Sequence, residues 1–161
     1  PSCQSPVLIV GCGYSELSER MHDHGWRDIT NIDFSERCIT DCRARLAASH
    51  PGMTWEVMDA CQLRFPTGRL FAAAVDKGTL DAMACSEAFD WLIPRMAKGL
   101  VQALRPGGLW VCISFTPPGT VVPLLQCGGW TVLPPERLVV PPREHHVELR
   151  GVSGGEGLPE E

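Results

Sequence analysis

Val7-Leu8-Ile9-Val10-Gly11-Cys12-Gly13 decides how this chain is read. Four β-favouring apolar residues run into Gly-x-Gly, the pattern of a buried strand ending in a tight turn, and a helix is expected from near Ser15. At both glycines the absent Cβ lets a ligand approach the backbone. Asp33 lies about twenty residues downstream, after a second apolar run at Ile29–Ile32, where its carboxylate would accept hydrogen bonds from ribose hydroxyls. Together these features mark the mouth of a nucleotide-type cofactor site.

The details narrow the cofactor. A dinucleotide fingerprint wants a third glycine where this chain has Glu16, and a carboxylate is unfavourable beside a helix N-terminus that holds a pyrophosphate. Both points weaken NAD and FAD. A cofactor with ribose and adenine but no phosphate fits better, and S-adenosylmethionine is the candidate. Further acidic strand ends support a shared crevice. Thr54–Val57 reads as a third strand followed by Asp59, placed to accept from an adenine amino group, and Leu70–Val75 reads as a fourth, followed by Asp76 and Lys77. Ligands of open α/β sheets bind at the carboxyl ends of strands, and charges there are costly unless solvated, paired or used.

The blocks LIVGCGYSELSERM, DITNIDFSERCI, WEVMDACQLRF, VDKGTLDAM and LRPGGLWVCIS resemble the seven-strand S-adenosylmethionine-dependent methyltransferases. Within that class they are similar to the methyltransferase-like branch that modifies lysines of proteins, notably elongation factor 1-alpha. The resemblance covers about residues 7 to 115 and fades beyond. It implies that Gly11, Cys12 and Gly13 line the methionine and ribose part of the cofactor. By the same resemblance Asp33 holds the ribose, Phe34 lies against the adenine face, and Asp59 with Ala60 reads the adenine edge. Asp76 and Lys77 are implied beside the transferable methyl as the catalytic pair. Asp81 falls on the helix after Gly78, where it would cap or brace the site rather than touch substrate.

The reaction so implied transfers a methyl group and leaves S-adenosylhomocysteine. It asks the protein to hold a neutral amine in line with the sulfonium carbon and to exclude water, with no cysteine or histidine nucleophile. Two departures from the family stand out. Members carry an N-terminal segment that closes over the cofactor, whereas only Pro1–Pro6 precede the first strand here, so that lid is expected to be missing. Tyr14 occupies a place that usually holds a small or amide residue, where it either stacks on the ligand or partly fills its pocket.

Composition sets the bounds. The 161 residues carry 14 Lys and Arg against 19 Asp and Glu, a formal net charge of −5, with no basic run and no basic-aromatic stripe. That argues against nucleic acid as a partner and suits a basic, lysine-bearing protein substrate. Neither a signal peptide nor an apolar stretch of the roughly 20 residues that span a membrane is visible, so the expected location is cytoplasmic. The 8 cysteines include no Cys-x-x-Cys pair, and Cys38 and Cys42 share an apolar helical stripe with Ile39 and Leu46 in a helix expected from Glu36 to Ala48. They read as structural thiols. His145 and His146 point to opposite faces of an expected strand, and His22 and His24 flank Asp23 at a helix end, so no metal is expected.

The expected architecture is a single doubly wound, mostly parallel Rossmann-like α/β sheet with helices on both faces. Ser35 is a candidate N-cap, Pro94 would open a helix over Arg95–Leu104, and Arg105-Pro106-Gly107-Gly108 would turn the chain into a strand at Leu109–Ser114. Trp91 is expected in the core. After Thr116 prolines break any long helix, while Trp130–Leu133 and His145–Arg150 would form an antiparallel closing pair joined by a surface loop. The methyltransferase domain is then residues 1–150, and 151–161 form an acidic, glycine-rich flexible tail. Two other readings remain at this stage: a methyltransferase of small molecules on the same fold, and a non-catalytic cofactor-binding or scaffold module without its lid.

Overall fold

The strand Val7–Val10 (β1) is buried along its whole length and lies at the middle of a sheet. In the computed structural model, which describes residues 1–127, 130–134 and 136, β1 pairs in parallel with Ile29–Asp33 (β2) on one side and Phe71–Lys77 (β4) on the other. Thr54–Val57 (β3) adds beyond β2, and Leu104–Ile113 (β5) adds beyond β4, giving the order β3-β2-β1-β4-β5 with every pair parallel. The reversal of strand order beside β1 opens a crevice at the carboxyl ends of β1, β2 and β4.

Alternation along β1 sorts the core into two layers. Leu8 and Val10 pack with Ile32, Ala74, Leu80, Ile93, Met96 and Leu100 on one face. Val7 and Ile9 pack with Ile29, Cys38, Ile39, Cys42, Leu46 and Val75 on the other. The first face is covered by helices Thr79–Ala84 (α3), Phe89–Ala103 (α4) and Pro118–Cys127 (α5), the second by Leu17–Asp23 (α1) and Glu36–Leu46 (α2). A sheet covered on both faces is why its central strands read as continuous apolar runs. Ser35 caps α2 by accepting from the Cys38 amide, and Cys38, Ile39, Cys42 and Leu46 form its buried stripe, as the spacing implied.

Several expectations need correction. α1 starts at Leu17 rather than near Ser15. α4 starts at Phe89, a turn and more before Pro94, which sits inside the helix. Trp91 is 57 % exposed, not in the core. Helical geometry gives the reason, since Ile93, Met96, Ala97 and Leu100 define the buried side and Trp91 falls opposite. Its ring instead meets the Arg95 guanidinium 4.8 Å from the centroid.

β5 begins at Leu104, not Leu109, and Arg105–Gly108 is an irregularity within the ladder: Phe71 pairs with Leu104 and Ala73 with Leu109. Past Thr116 a helix does form, because Pro118 occupies the first position of α5, where its missing N–H costs nothing. Trp130–Leu133 is not a strand. Trp130 is committed elsewhere, edge-on to Trp110 with centroids 5.2 Å apart, its indole N–H donating to the Ala97 carbonyl at 2.9 Å. Among the described residues the sheet is therefore parallel throughout, with no antiparallel closing strand. His145–Arg150 and the 151–161 tail lie outside the described residues.

A Cβ on Gly108 would lie 2.9 Å from the Arg105 carbonyl oxygen, 3.0 Å from Leu104 Cβ and 3.4 Å from the Ala72 carbonyl oxygen. Backbone on two sides cannot yield cheaply. Gly108→Ala is expected to lower unfolding stability by about 1–3 kcal/mol, read as a lower midpoint in urea. An unchanged midpoint would mean the ladder is looser here than described.

Candidate active site

The turn after β1 is shaped by what surrounds it. Gly11 adopts φ +62°, and a Cβ there would fall 2.0 Å from Thr79 Oγ1. That hydroxyl donates to the Val10 carbonyl at 2.8 Å, stitching the start of α3 to the end of β1. Two amides of the turn are already used: Cys12 N–H donates to the Ile32 carbonyl at 2.9 Å, and Gly13 N–H donates to Asp33 Oδ2 at 2.9 Å. A pyrophosphate would need such amides free. The turn instead places a carboxylate at its floor, with Asp33 Oδ1 accepting from Ser35 N–H at 2.9 Å. Each oxygen retains capacity to accept from a ligand hydroxyl. The donor set thus fits a nucleoside-type group without a phosphate.

A cavity of about 370 Å³ opens here, and it brings together Gly11, Cys12, Gly13, Tyr14, Asp33, Phe34 and Lys77. Those are seven of the residues singled out in the sequence. Phe34 stands at the lip, 82 % exposed. Tyr14 donates its hydroxyl to Asp41 Oδ2 at 2.9 Å, which fixes the ring between this cavity and a neighbouring one bordered by Glu16, Arg20 and Lys77. Reading the sequence missed Ser15, Gly78, Thr79 and Ala82, which also line the cavity. The Gly-Thr step within DKGTLDA was the available signal, since it is where a helix begins.

Three expected residues are placed differently. The Asp76 carboxylate is fully buried rather than facing the cavity. Oδ1 accepts from the Thr79 amide at 2.9 Å and the Leu80 amide at 3.3 Å, and Oδ2 accepts from Cys112 Sγ–H at 3.3 Å. Asp76 therefore anchors the start of α3, directly before the Lys77 that borders the cavity. Burial pushes its carboxyl above the usual range, and the hydrogen bonds oppose that shift. Asp59 is exposed and closes its own turn, accepting from Cys61 N–H at 2.8 Å and Gln62 Nε2 at 3.2 Å, while Ala60 is buried. Neither borders the cavity, although the Met58 amide donates to the Asp33 carbonyl at 2.9 Å and keeps this segment beside β2.

Asp81 has the bracing role. It accepts from Ser114 Oγ at 2.6 Å, Thr116 Oγ1 at 2.8 Å, and the amides of Phe115 and Thr116 at 3.0 and 2.9 Å. Burial alone would raise its carboxyl, but these donors hold it below the usual range.

Cys12, Asp33 and Cys38 bring one ligand atom each within 4.8 Å of one another beneath the turn, as His22, Asp23 and His50 do on the surface. Burial pushes the Cys12 thiol up and raises Cys38 to about 11, so both are protonated near neutrality and pack as small apolar groups. His50 was not singled out in the sequence, because a contact 27 residues from Asp23 leaves no local pattern.

The methyltransferase domain profile matches residues 7–108. The chain belongs to the methyltransferase domain family. Within it, the chain is 45 % identical over 109 residues to the eEF1A lysine and N-terminal methyltransferase of Danio rerio, covering 68 % of this chain and 16 % of that protein. The Homo sapiens protein of the same description is 43 % identical over 111 residues, again covering 68 % and 16 %. This chain of the methyltransferase family thus spans about a sixth of the length of those curated relatives. A solved S-adenosylmethionine dependent methyltransferase from Mesorhizobium loti superposes with a TM-score of 0.53 at 28 % identity, covering 68 % of this chain and 46 % of that one.

The two inner carboxylates predict opposite pH responses. Asp76 ionises above its ordinary value of 3.8 in the fold, so the unfolded chain loses its proton first as pH rises. Wild type should therefore lose stability relative to Asp76→Asn as pH rises from 3.8 through the higher folded value. Asp81 is shifted downward from 3.8, so its contribution is present above that value and is lost as pH falls through its folded value. Wild type should lose stability relative to Asp81→Asn on acidification below about pH 4. Urea unfolding across pH reads both slopes, and slopes of equal sign would contradict this account.

Proposed function

We propose that this chain is the S-adenosylmethionine-dependent catalytic domain of a protein methyltransferase, and that its acceptor is a lysine amine of eEF1A. The observation that carries the reading is the glycine turn whose amides are spent on Asp33 and the sheet, in a chain 45 % identical over 109 residues to an eEF1A lysine and N-terminal methyltransferase. Gly11, Cys12 and Gly13 would line the methionine and ribose part of the cofactor, Asp33 would accept from the ribose hydroxyls, and Phe34 would cover the adenine face. Asp59 and Ala60 would meet the adenine edge as the segment after β3 adjusts. Lys77 would stand on the acceptor side, with Asp76 acting behind it by holding the Lys77-Gly78 turn and the start of α3.

The cofactor supplies an electrophilic methyl group and leaves as S-adenosylhomocysteine. The protein's task is positional: bring a neutral amine into line and keep water out. A net charge of −5 favours approach of a basic protein. Among the described residues no helix is long and apolar enough to cross a membrane, and the described cysteines are free thiols. Both support a cytoplasmic site of action.

Calorimetry with S-adenosylmethionine, S-adenosylhomocysteine and an NAD control tests the cofactor reading. Wild type is expected to bind the sulfur compounds and not NAD. Asp33→Ala should weaken that binding by about tenfold to a hundredfold, the loss of hydrogen bonds to a charged group. Unchanged affinity in the folded variant would remove Asp33 from the ribose site. Mass spectrometry of eEF1A incubated with the chain and cofactor tests the acceptor: methyl gain on a lysine is expected, and methylation of small amines alone would redirect the substrate assignment.

A further inference from the structure

Phe115 is 99 % exposed, yet its backbone amide is bonded to a carboxylate. Both oxygens of Asp81 accept its amide, at 3.0 and 3.2 Å, while Ser114 and Thr116 on either side donate to the same carboxylate. Thr116 N–H also donates to Ser114 Oγ at 3.0 Å, closing the segment on itself. A phenylalanine left in water forgoes the stabilisation that burial would give. An exposed aromatic on a mobile loop would need no explanation, but one whose backbone is clamped by an ionised carboxylate is presented in a fixed position.

Its place relative to the cavity follows from the ladder. Ile113 pairs with Lys77, and the Gly78 amide donates to the Ile113 carbonyl at 3.1 Å. Lys77 and Gly78 both line the cavity. Phe115 is two residues beyond Ile113, at the bend that follows β5. It therefore lies at the carboxyl edge of the sheet, just past the strand that pairs with Lys77, whereas Phe34 follows β2. The clamp that positions it arises from α3, the helix that also supplies Thr79 and Ala82 to the cavity wall.

We propose that Phe115 is a docking contact for the acceptor polypeptide, and that Asp81 is the positioning residue that holds it out. This rests on the protein-substrate reading above and names the surface by which that substrate is gripped. A flat aromatic face suits a basic polypeptide, because lysine and arginine side chains lay their aliphatic stems and cationic ends on such rings. The molecule's net negative charge points to the same class of partner. Fixing the backbone that carries the ring in advance reduces the ordering cost of binding.

The test is interferometry with the chain immobilised and purified eEF1A as probe, in the presence of S-adenosylhomocysteine. Phe115→Ala should weaken eEF1A binding about tenfold or more, as loss of an aromatic anchor does, while its calorimetric affinity for S-adenosylhomocysteine stays unchanged. Phe115→Tyr should restore eEF1A binding. Because the side chain is exposed, the alanine variant should unfold at the wild-type midpoint. Asp81→Ala should weaken eEF1A binding in the same direction. Equal eEF1A affinity of wild type and Phe115→Ala would overturn the proposal and leave the substrate reading standing. No eEF1A binding by wild type would overturn both. A change in self-association on sedimentation, with eEF1A binding intact, would reassign Phe115 to a contact between copies.

Discussion

The buried carboxylate of Asp76 holds the carboxyl edge of the sheet together. It lies in register with Val10, one residue before Gly11, and it receives the Thr79 and Leu80 amides that open α3. Thr79, so placed, turns its hydroxyl to the Val10 carbonyl and occupies the space a side chain on residue 11 would need. The glycine turn and the start of α3 meet at this one buried carboxyl group. A buried charge is tolerable only where its oxygens are satisfied, and here amides and a thiol satisfy them.

Four carboxylates share this edge, and their surroundings divide the labour. Asp76 is sealed in and organises backbone. Asp33, 8 % exposed, is bonded to two amides yet still borders the cavity, so it is both a structural and a recognition group. Asp81 gathers hydroxyls and amides of the segment after β5. Asp59 stays in solvent and closes a turn. Identity of residue type and similarity of position along a strand end do not fix a role; the direction of the side chain and the donors it meets do.

That distinction marks how far the sequence could be read. β1 and β3 have the limits expected from the sequence, and the glycine turn with Asp33 located the cavity. Direction was harder. Alternation along β4 puts Asp76 on the face of Ala74, under α3, a signal present in the sequence but outweighed by the expectation that acidic strand ends face ligand. Trp91 and Trp130 were misplaced because aromatic character indicates burial somewhere without saying against what. Trp130 meets Trp110 and the Ala97 carbonyl on α4, contacts 20 and 33 residues away, so it does not serve a strand. Proline rules foresaw a broken pattern after Thr116 but overlooked that Pro118 is well suited to a helix's first position.

The irregularity at Arg105–Gly108 separates chain length from register. Four residues leave the β4–β5 ladder and the pairing resumes at Leu109, so the strand on either side is anchored independently. Residues added to or lost from the outer part of this excursion would be absorbed there, leaving Cys112 opposite Asp76 and Ile113 opposite Lys77. Gly108, wedged against backbone, would be the fixed point from which any such variant restarts. Chain length within this excursion is thereby decoupled from the register of the edge that borders the cavity.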